Sequence, residues 1–249
     1  MTTASRRSHA PDNGHKVLLE ARGLTAGYGK NQVLSDVNVN VCIGEVVGVL
    51  GHNGAGKTTL LKCLFRLQAL RAGEVIFDNE SLARSTNVDT VRKGMSFTPA
   101  EKPIFRDLTV RQNLELGANS VRDKTEIRQR TEEVLQIFPV LSDRMNDLAG
   151  KFSGGQQRQL SLGIALMARP RLMMLDEPSL GISPAVVTKT FATIRELAKD
   201  HGMSVLIVEQ NVPAVTEVAD RVYVLRNGSI VLEESGEQAS QREVWWDLF

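Results

Sequence analysis

Gly51-His52-Asn53-Gly54-Ala55-Gly56-Lys57-Thr58-Thr59 is the stretch that decides the fold. It fits G-x-x-x-x-G-K-[ST] position for position, in the setting the motif requires. The preceding run, Glu45-Val46-Val47-Gly48-Val49-Leu50, is a short and mostly apolar strand. The following run, Thr59-Leu60-Leu61-Lys62-Cys63-Leu64-Phe65, reads as a helix. Gly51, Gly54 and Gly56 let the backbone curl so that its N–H groups point inward around a phosphate chain. The new helix aims the positive end of its dipole at the same anion. Gly51, Asn53, Gly54, Ala55, Gly56, Lys57, Thr58 and Thr59 are therefore the expected contacts of a nucleoside triphosphate. Lys57 reaches the outer phosphates, the Thr58 hydroxyl is placed to coordinate Mg²⁺, and Thr59 supports the loop or binds an inner phosphate. A plain glycine turn before an ordinary helix is the alternative, and the strand–loop–helix context argues against it.

Composition bounds the rest. A chain of 249 residues, 42% of them hydrophobic, suffices for one α/β domain with a sizeable core and room for a subdomain. A formal net charge of +1 leaves no electrostatic footprint for nucleic acid. Cys42 and Cys63 lack metal spacing and sit in apolar-patterned segments, as buried thiols of a reducing compartment would. No apolar run has the length of a membrane span. Residues 1–16 are polar, with Arg6, Arg7 and His9 and no apolar h-region, so they read as a flexible tail and not a secretory signal. The expectation is a soluble, cytoplasmic protein that meets a membrane only through a partner.

Val17 to Ala21 reads as a strand, followed by a turn region at Gly23, Gly27 and Gly29. Val33, Val37, Val39 and Val41 alternate with polar residues, an antiparallel pattern with one wet face. Between them Tyr28 stands in a glycine-flanked loop, either as a ring that stacks on a nucleobase or as a packing aromatic. After the phosphate-loop helix come a strand over Glu74 to Phe77, a polar loop over Asp78 to Thr86, a helix capped by Asn87, and a strand over Met95 to Thr98. Residues 99 to about 159 then form a helical insertion: an irregular Pro99 to Asp107, with helices over Leu108 to Ser120 and Asp123 to Phe138. Phe105 is a large apolar residue in a polar loop, suited to a docking contact or to a place in the core.

Two further stretches carry chemistry. In Phe152-Ser153-Gly154-Gly155-Gln156-Gln157-Arg158, Ser153 caps a helix running to Met167. The two glycines leave N–H groups uncovered, so this is a second anion-receptive helix terminus. Arg171 to Leu175 is a buried strand ending in Asp176-Glu177, two carboxylates at the mouth of an α/β sheet. Side chains alternate along a strand, so the pair divides its work. Asp176 holds Mg²⁺ and Glu177 faces the attacking water as general base or orienting group. A helix over Pro184 to Lys199, a buried strand over Ser204 to Val208, and a short helix capped by Asn211 follow. Asn227-Gly228 then turns a hairpin. The last residues, Val244-Trp245-Trp246-Asp247-Leu248-Phe249, carry enough aromatic surface to need cover, from the domain itself or from a partner.

The phosphate loop, F-S-G-G-Q-Q-R, L-M-M-L-D-E-P and S-L-G occur in that order within one short domain, and together they resemble the ATPase subunit of an ABC transporter over Val17 to about Glu234. The resemblance implies a P-loop NTPase (RecA-like) α/β core, an antiparallel β subdomain and an inserted helical subdomain. It makes residues 17–235 the cassette and 236–249 a tail packed on the domain or a partner. It also implies a head-to-tail dimer holding two ATP molecules. Each site combines the phosphate loop of one subunit with Ser153, Gly154, Gly155 and Gln156 of the other, and Tyr28 stacks on the base. Finer stretches, A-G-Y-G-K-N-Q-V-L, E-P-S-L-G-I-S-P and V-E-Q-N before A-D-R-V-Y-V-L, resemble the branched-chain amino-acid importers. Those importers use a periplasmic solute-binding protein, membrane-spanning permease subunits and two different ATPases, which stand peripherally on the inner face of the cell membrane. Related branches handle urea and short amides. Cofactor-assembly ATPases are the rival outside transport.

Two positions depart from the family pattern. Ala100 falls where many relatives carry a Gln that reaches Mg²⁺ and the water, with Glu101 beside it. Gln210 stands in place of the switch histidine. It can hydrogen-bond a γ-phosphate but carries no charge at neutral pH.

Overall fold

The computed structural model describes residues 16–101 and 103–248. The tail expected over 1–16 lies outside the described residues except for Lys16, as does Phe249. In chain order the fold opens with β1 (Val17–Tyr28), β2 (Asn31–Cys42), β3 (Val46–Leu50) and α1 (Lys57–Leu64). It continues through β4 (Leu70–Phe77), β5 (Glu80–Ser81), α2 (Asn87–Arg92), β6 (Met95–Thr98), α3 (Val110–Gly117), α4 (Lys124–Ile137) and α5 (Gly154–Leu166). The remainder is β7 (Leu172–Asp176), α6 (Pro184–His201), β8 (Ser204–Glu209), α7 (Val212–Thr216), β9 (Arg221–Arg226), β10 (Ser229–Ser235) and α8 (Gly236–Gln241).

Two sheets divide these strands. One is antiparallel, in the order β2-β1-β4-β5. The other runs β10-β9-β3-β8-β7-β6, with β10 the antiparallel edge of an otherwise parallel sheet. Its central strands β3, β7 and β8 are buried along their whole length, because helices and the second sheet cover both faces. Alternation sorts their side chains into two cores. Val49, Met174 and Leu206 pack with Leu60, Leu61 and Leu64 of α1 and with the antiparallel sheet. Leu175 and Ile207 pack with Leu160 of α5 and Phe191 of α6. Each such side chain contributes roughly 1.5–3 kcal/mol by leaving water. The C-terminal tips of β3, β7 and β8 therefore end on the most tightly held part of the molecule, where ligands of open parallel sheets bind.

Several local expectations change. β1 does not break at Gly23 but runs on to Tyr28 through register irregularities against β2 and β4, so Tyr28 ends a strand instead of standing in a loop. In β2 an irregularity at Ser35-Asp36, with Asp36 at φ 51°, shifts the phase. Leu34 is buried with Val37, Val39 and Val41, while Val33 is only half-buried. α2 is capped by Thr86 and not by Asn87, through reciprocal bonds with Asp89. The loop over 78–86 contains β5. α3 is shorter than its sequence pattern and is capped by Thr109.

Between β6 and β7 the regular elements are helical, and α5 crosses residue 159 without a break. α3, α4 and α5 meet at two glycines. A Cβ on Gly117 would stand 2.2 Å from the Ile164 carbonyl oxygen. One on Gly163 would stand 2.9 Å from Val134 and 3.2 Å from Leu114. α3 thus meets α5 backbone to backbone at Gly117, and the α5 backbone meets side chains of α4 and α3 at Gly163. Phe105, in the loop before α3, is 60% exposed, which removes the core alternative for it. At the far end of the chain Trp245 packs against the larger core, and its indole N–H donates to the Arg242 carbonyl at 3.1 Å.

Candidate active site

The phosphate loop leaves β3 with Gly54 at φ 83° and Gly56 at φ 108°, conformations that side chains resist. Gly56 is also the residue at which α1 begins, and no side chain caps it. The loop is backed by the β9–β10 turn: the Gly228 N–H donates to the Ala55 carbonyl at 3.0 Å. Lys57 is 4% exposed. Its ammonium donates to the Gly51 carbonyl at 2.8 Å and the His52 carbonyl at 3.1 Å, and stands 3.2 Å from Glu177 Oε1. A buried ammonium requires such partners. All of them are groups that phosphate oxygens can replace.

The Thr58 hydroxyl donates to Asp176 Oδ1 at 3.1 Å, joining the loop to the tip of β7. Burial pushes the Asp176 carboxyl upward, the Thr58 hydrogen bond opposes that shift, and the Glu177 charge adds to it. This pair fits a Mg²⁺ ion: two hard oxygens converge beside the phosphate loop. Among the described residues no group of three or more His, Cys, Asp or Glu gathers as a self-sufficient metal cage. Mg²⁺ characteristically takes one or two protein oxygens and completes its shell with phosphate and water.

Glu177 directly follows the last residue of β7 and lies outside the strand. Its backbone lies at φ 44°, in the left-handed region, which costs a residue with a side chain roughly 1–2 kcal/mol. Three contacts hold it there. Its N–H donates to the Val208 carbonyl at 2.9 Å, and its carbonyl accepts from the Leu180 N–H at 3.0 Å and from Arg158 Nη2 at 3.3 Å. The Gln210 amide donates to Asn53 Oδ1 at 2.7 Å and to Glu177 Oε1 at 3.3 Å. Lys57, Asn53, Glu177 and Gln210 thus form one connected network at the strand tips.

The remaining expected residues lie outside that network. Tyr28 is 47% exposed, so its ring is available for stacking. Ser153 and Gly154 are exposed, and Gly155 and Gln156 are half-buried. Ser153 accepts from the Gln156 N–H, and Gln156 Oε1 accepts from the Ser153 N–H at 3.0 Å and from Arg144. None of these bonds reaches the phosphate loop. Thr59 is buried in the loop's support, and Ala100 follows β6 with no polar side chain to offer.

Two residues that the motif reading passes over stand beside the network. Glu209, 2% exposed, accepts from the backbone N–H groups of Ser179 at 2.7 Å, Gln210 at 2.9 Å and Asn211 at 3.2 Å. Charge-assisted bonds of this kind are the strong ones, and they fasten the loop after β7 to the loop after β8. Arg158, on α5, is buried with them. Burial pushes its pKa down, while the charges of Glu209 and Asp176 oppose the shift. The sequence held a signal for each. Glu209 closes a buried strand as Asp176 does, and Arg158 shares a helical stripe with the buried Ser161 and Leu162.

Fold and loop together define a P-loop protein that binds nucleoside triphosphates on a mostly parallel sheet. The chain belongs to the ABC transporter family, whose family model matches residues 34–180. It is 40% identical to the high-affinity branched-chain amino acid transport ATP-binding protein BraG of Pseudomonas aeruginosa, over 84% of this chain and 89% of that protein. It is 33% identical to the lipopolysaccharide export system ATP-binding protein LptB of Haemophilus influenzae, over 91% of this chain and 94% of that one. Among solved structures, the ADP conformation of an ATP-binding cassette of an ABC transporter superposes with a TM-score of 0.82. That match has 26% identity, over 90% of this chain and 93% of that one. The protein is an ATPase, the nucleotide-binding subunit of a transporter, and such subunits act as dimers on membrane-spanning permeases. No helix among the described residues is long and apolar enough to cross a membrane.

Proposed function

We propose that this chain powers an importer of branched-chain amino acids, beside a second and different ATPase on membrane-spanning permease subunits supplied by a periplasmic solute-binding protein. It stands in the cytoplasm, on the inner face of the cell membrane. The observation that supports the solute class is the 40% identity to BraG over most of both chains. The likeness to LptB supports a second reading, export of lipopolysaccharide. Importers of urea or short amides and cofactor-assembly ATPases are the further alternatives.

The chemistry follows from the network. ATP enters with its base against Tyr28 and its phosphates among the N–H groups of residues 51–59. Lys57 exchanges the carbonyls of Gly51 and His52 for the outer phosphates. Thr58 and Asp176 would hold Mg²⁺, which neutralises charge on the phosphate oxygens when bound. Glu177, released from Lys57, accepts the proton of the attacking water. Gln210 orients the γ-phosphate through its amide. Ser153, Gly154, Gly155 and Gln156 meet the ATP held by the opposite subunit, with the Gly154 and Gly155 N–H groups and the Ser153 hydroxyl offered to its phosphate and Gln156 holding the cap.

Reconstitution with permease subunits and a solute-binding protein that co-purify with this chain tests the proposal. ATP turnover in proteoliposomes should rise when leucine, isoleucine or valine loads the binding protein. Stimulation by urea or by lipopolysaccharide, with none by these amino acids, would replace the solute assignment.

A further inference from the structure

Arg158 occupies a position that the hydrolytic chemistry above does not use. It is 4% exposed, on the fifth residue of α5. Nη2 donates to the Glu177 carbonyl at 3.3 Å, while Nη1 is buried without a hydrogen-bond partner. A buried guanidinium is costly unless its donors are met, so an unmet donor beside two buried carboxylates, Asp176 and Glu209, calls for a reason beyond packing. The residue it does touch is the one whose backbone is held at φ 44°. The helix that carries it begins at Ser153, the segment that faces outward.

We propose that Arg158 is a positioning residue that couples the outer end of α5 to Glu177 of the same subunit. When a partner's nucleotide engages the Ser153 end, α5 shifts, and the guanidinium fork sets the Glu177 peptide so that its carboxylate faces the attacking water. Each subunit then readies its own base in response to the ATP held by the other. This inference rests on the role given to Glu177 above.

The charge alone does not suffice for this task, because a planar fork fixes direction and an ammonium does not. Arg158→Lys keeps the cation and the stem. In the full chain, assembled with its transporter partners, it should leave the ATP dissociation constant and KM within about twofold and lower kcat on the order of tenfold, the size expected for losing a directional hydrogen bond from a charged group. Hydrogen exchange at the Glu177 and Leu180 amides should quicken while the amides of β7 stay protected. Arg158→Met should lower kcat further; if it fails to fold, the Lys variant carries the test. In a Glu177→Gln background Arg158→Lys should add no further loss, because a residue acting through Glu177 has nothing left to position. A full additional loss in that background, or a Lys variant with wild-type kcat, overturns the coupling while leaving Glu177 as the base. If Glu177→Gln alone leaves turnover intact, the reading of Glu177 itself has failed.

Discussion

α1 and α5 both begin at glycine-rich turns, and the chain finishes the two openings in opposite ways. At α1 no side chain caps the helix, and the lysine beside it is buried within its own loop. At α5 Ser153 and Gln156 cap each other, and Ser153 and Gly154 face solvent. A cap of that kind contributes about 1 kcal/mol and lets the helix stand without a ligand. The uncapped opening keeps its N–H groups for phosphate and has every cis-acting group of the site around it. The capped one has none of them within hydrogen-bonding reach, and in the proposed dimer it would join a site only when the partner brings phosphate to it.

Lys57→Ala should have the largest effect. It removes the charge facing the outer phosphates and should abolish tight ATP binding in nucleotide titrations. ATP at about 100 times its dissociation constant should stabilise the wild type by about 2.7 kcal/mol in thermal melts and the variant not at all. Unchanged affinity would remove the assignment of the first opening. Glu177→Gln should keep ATP binding and slow hydrolysis by ~10²–10⁴, roughly 3–5 kcal/mol of barrier. The ATP-held dimer should persist longer, which size-exclusion chromatography with ATP would detect.

Ser153→Arg attacks the second opening. It should leave ATP affinity of the separate subunit unchanged and lower turnover of the dimer by about 10²-fold, the cost of losing one donor at a developing charge. If it weakens nucleotide binding to the lone subunit, the contrast between the two openings is wrong. Gln210→Ala should cost only a few-fold, about 0.5–1.5 kcal/mol for one neutral hydrogen bond. Substituting the switch residue of a non-identical partner should cost far more. A chain that hydrolyses ATP alone at the rate of the full complex, and loses that rate on Gln210→Ala, contradicts a pairing with a different ATPase. Phe105→Asp should have the smallest effect on the nucleotide, leaving ATP affinity unchanged while weakening pull-down of the permease subunits.

Much of this architecture was legible because its signals are local. A buried strand, a glycine loop and a lysine within the twelve residues from Val46 to Lys57 leave little choice of geometry, and the N-G dipeptide announces its own turn. Asn227 and Gly228 indeed both lie at positive φ, 47° and 79°. What the sequence concealed depends on contacts between distant segments. The phase shift in β2 comes from its irregular pairing with β1. The choice of Thr86 over Asn87 as cap turns on which side chain Asp89 can answer. Glu209 and Arg158 look in one dimension like a strand-end acid and a surface arginine. Only the meeting of β7, β8 and α5 makes them neighbours.

The close approach at Gly117 and Gly163 gives α5 a fulcrum. Ten residues separate Gly163 from Ser153, an arm of about 15 Å at the α-helical rise, and Arg158 lies halfway along it. A tilt of about 5° about that point carries Ser153 through about 1.3 Å and Arg158 through about half as much. On the proposed coupling, the glycine contact would work as a gear of roughly two to one. A displacement large enough to seat a phosphate at the outer end would reach the strand tips as a fraction of a hydrogen-bond length, small enough to re-aim a carboxylate without breaking the sheet beneath it.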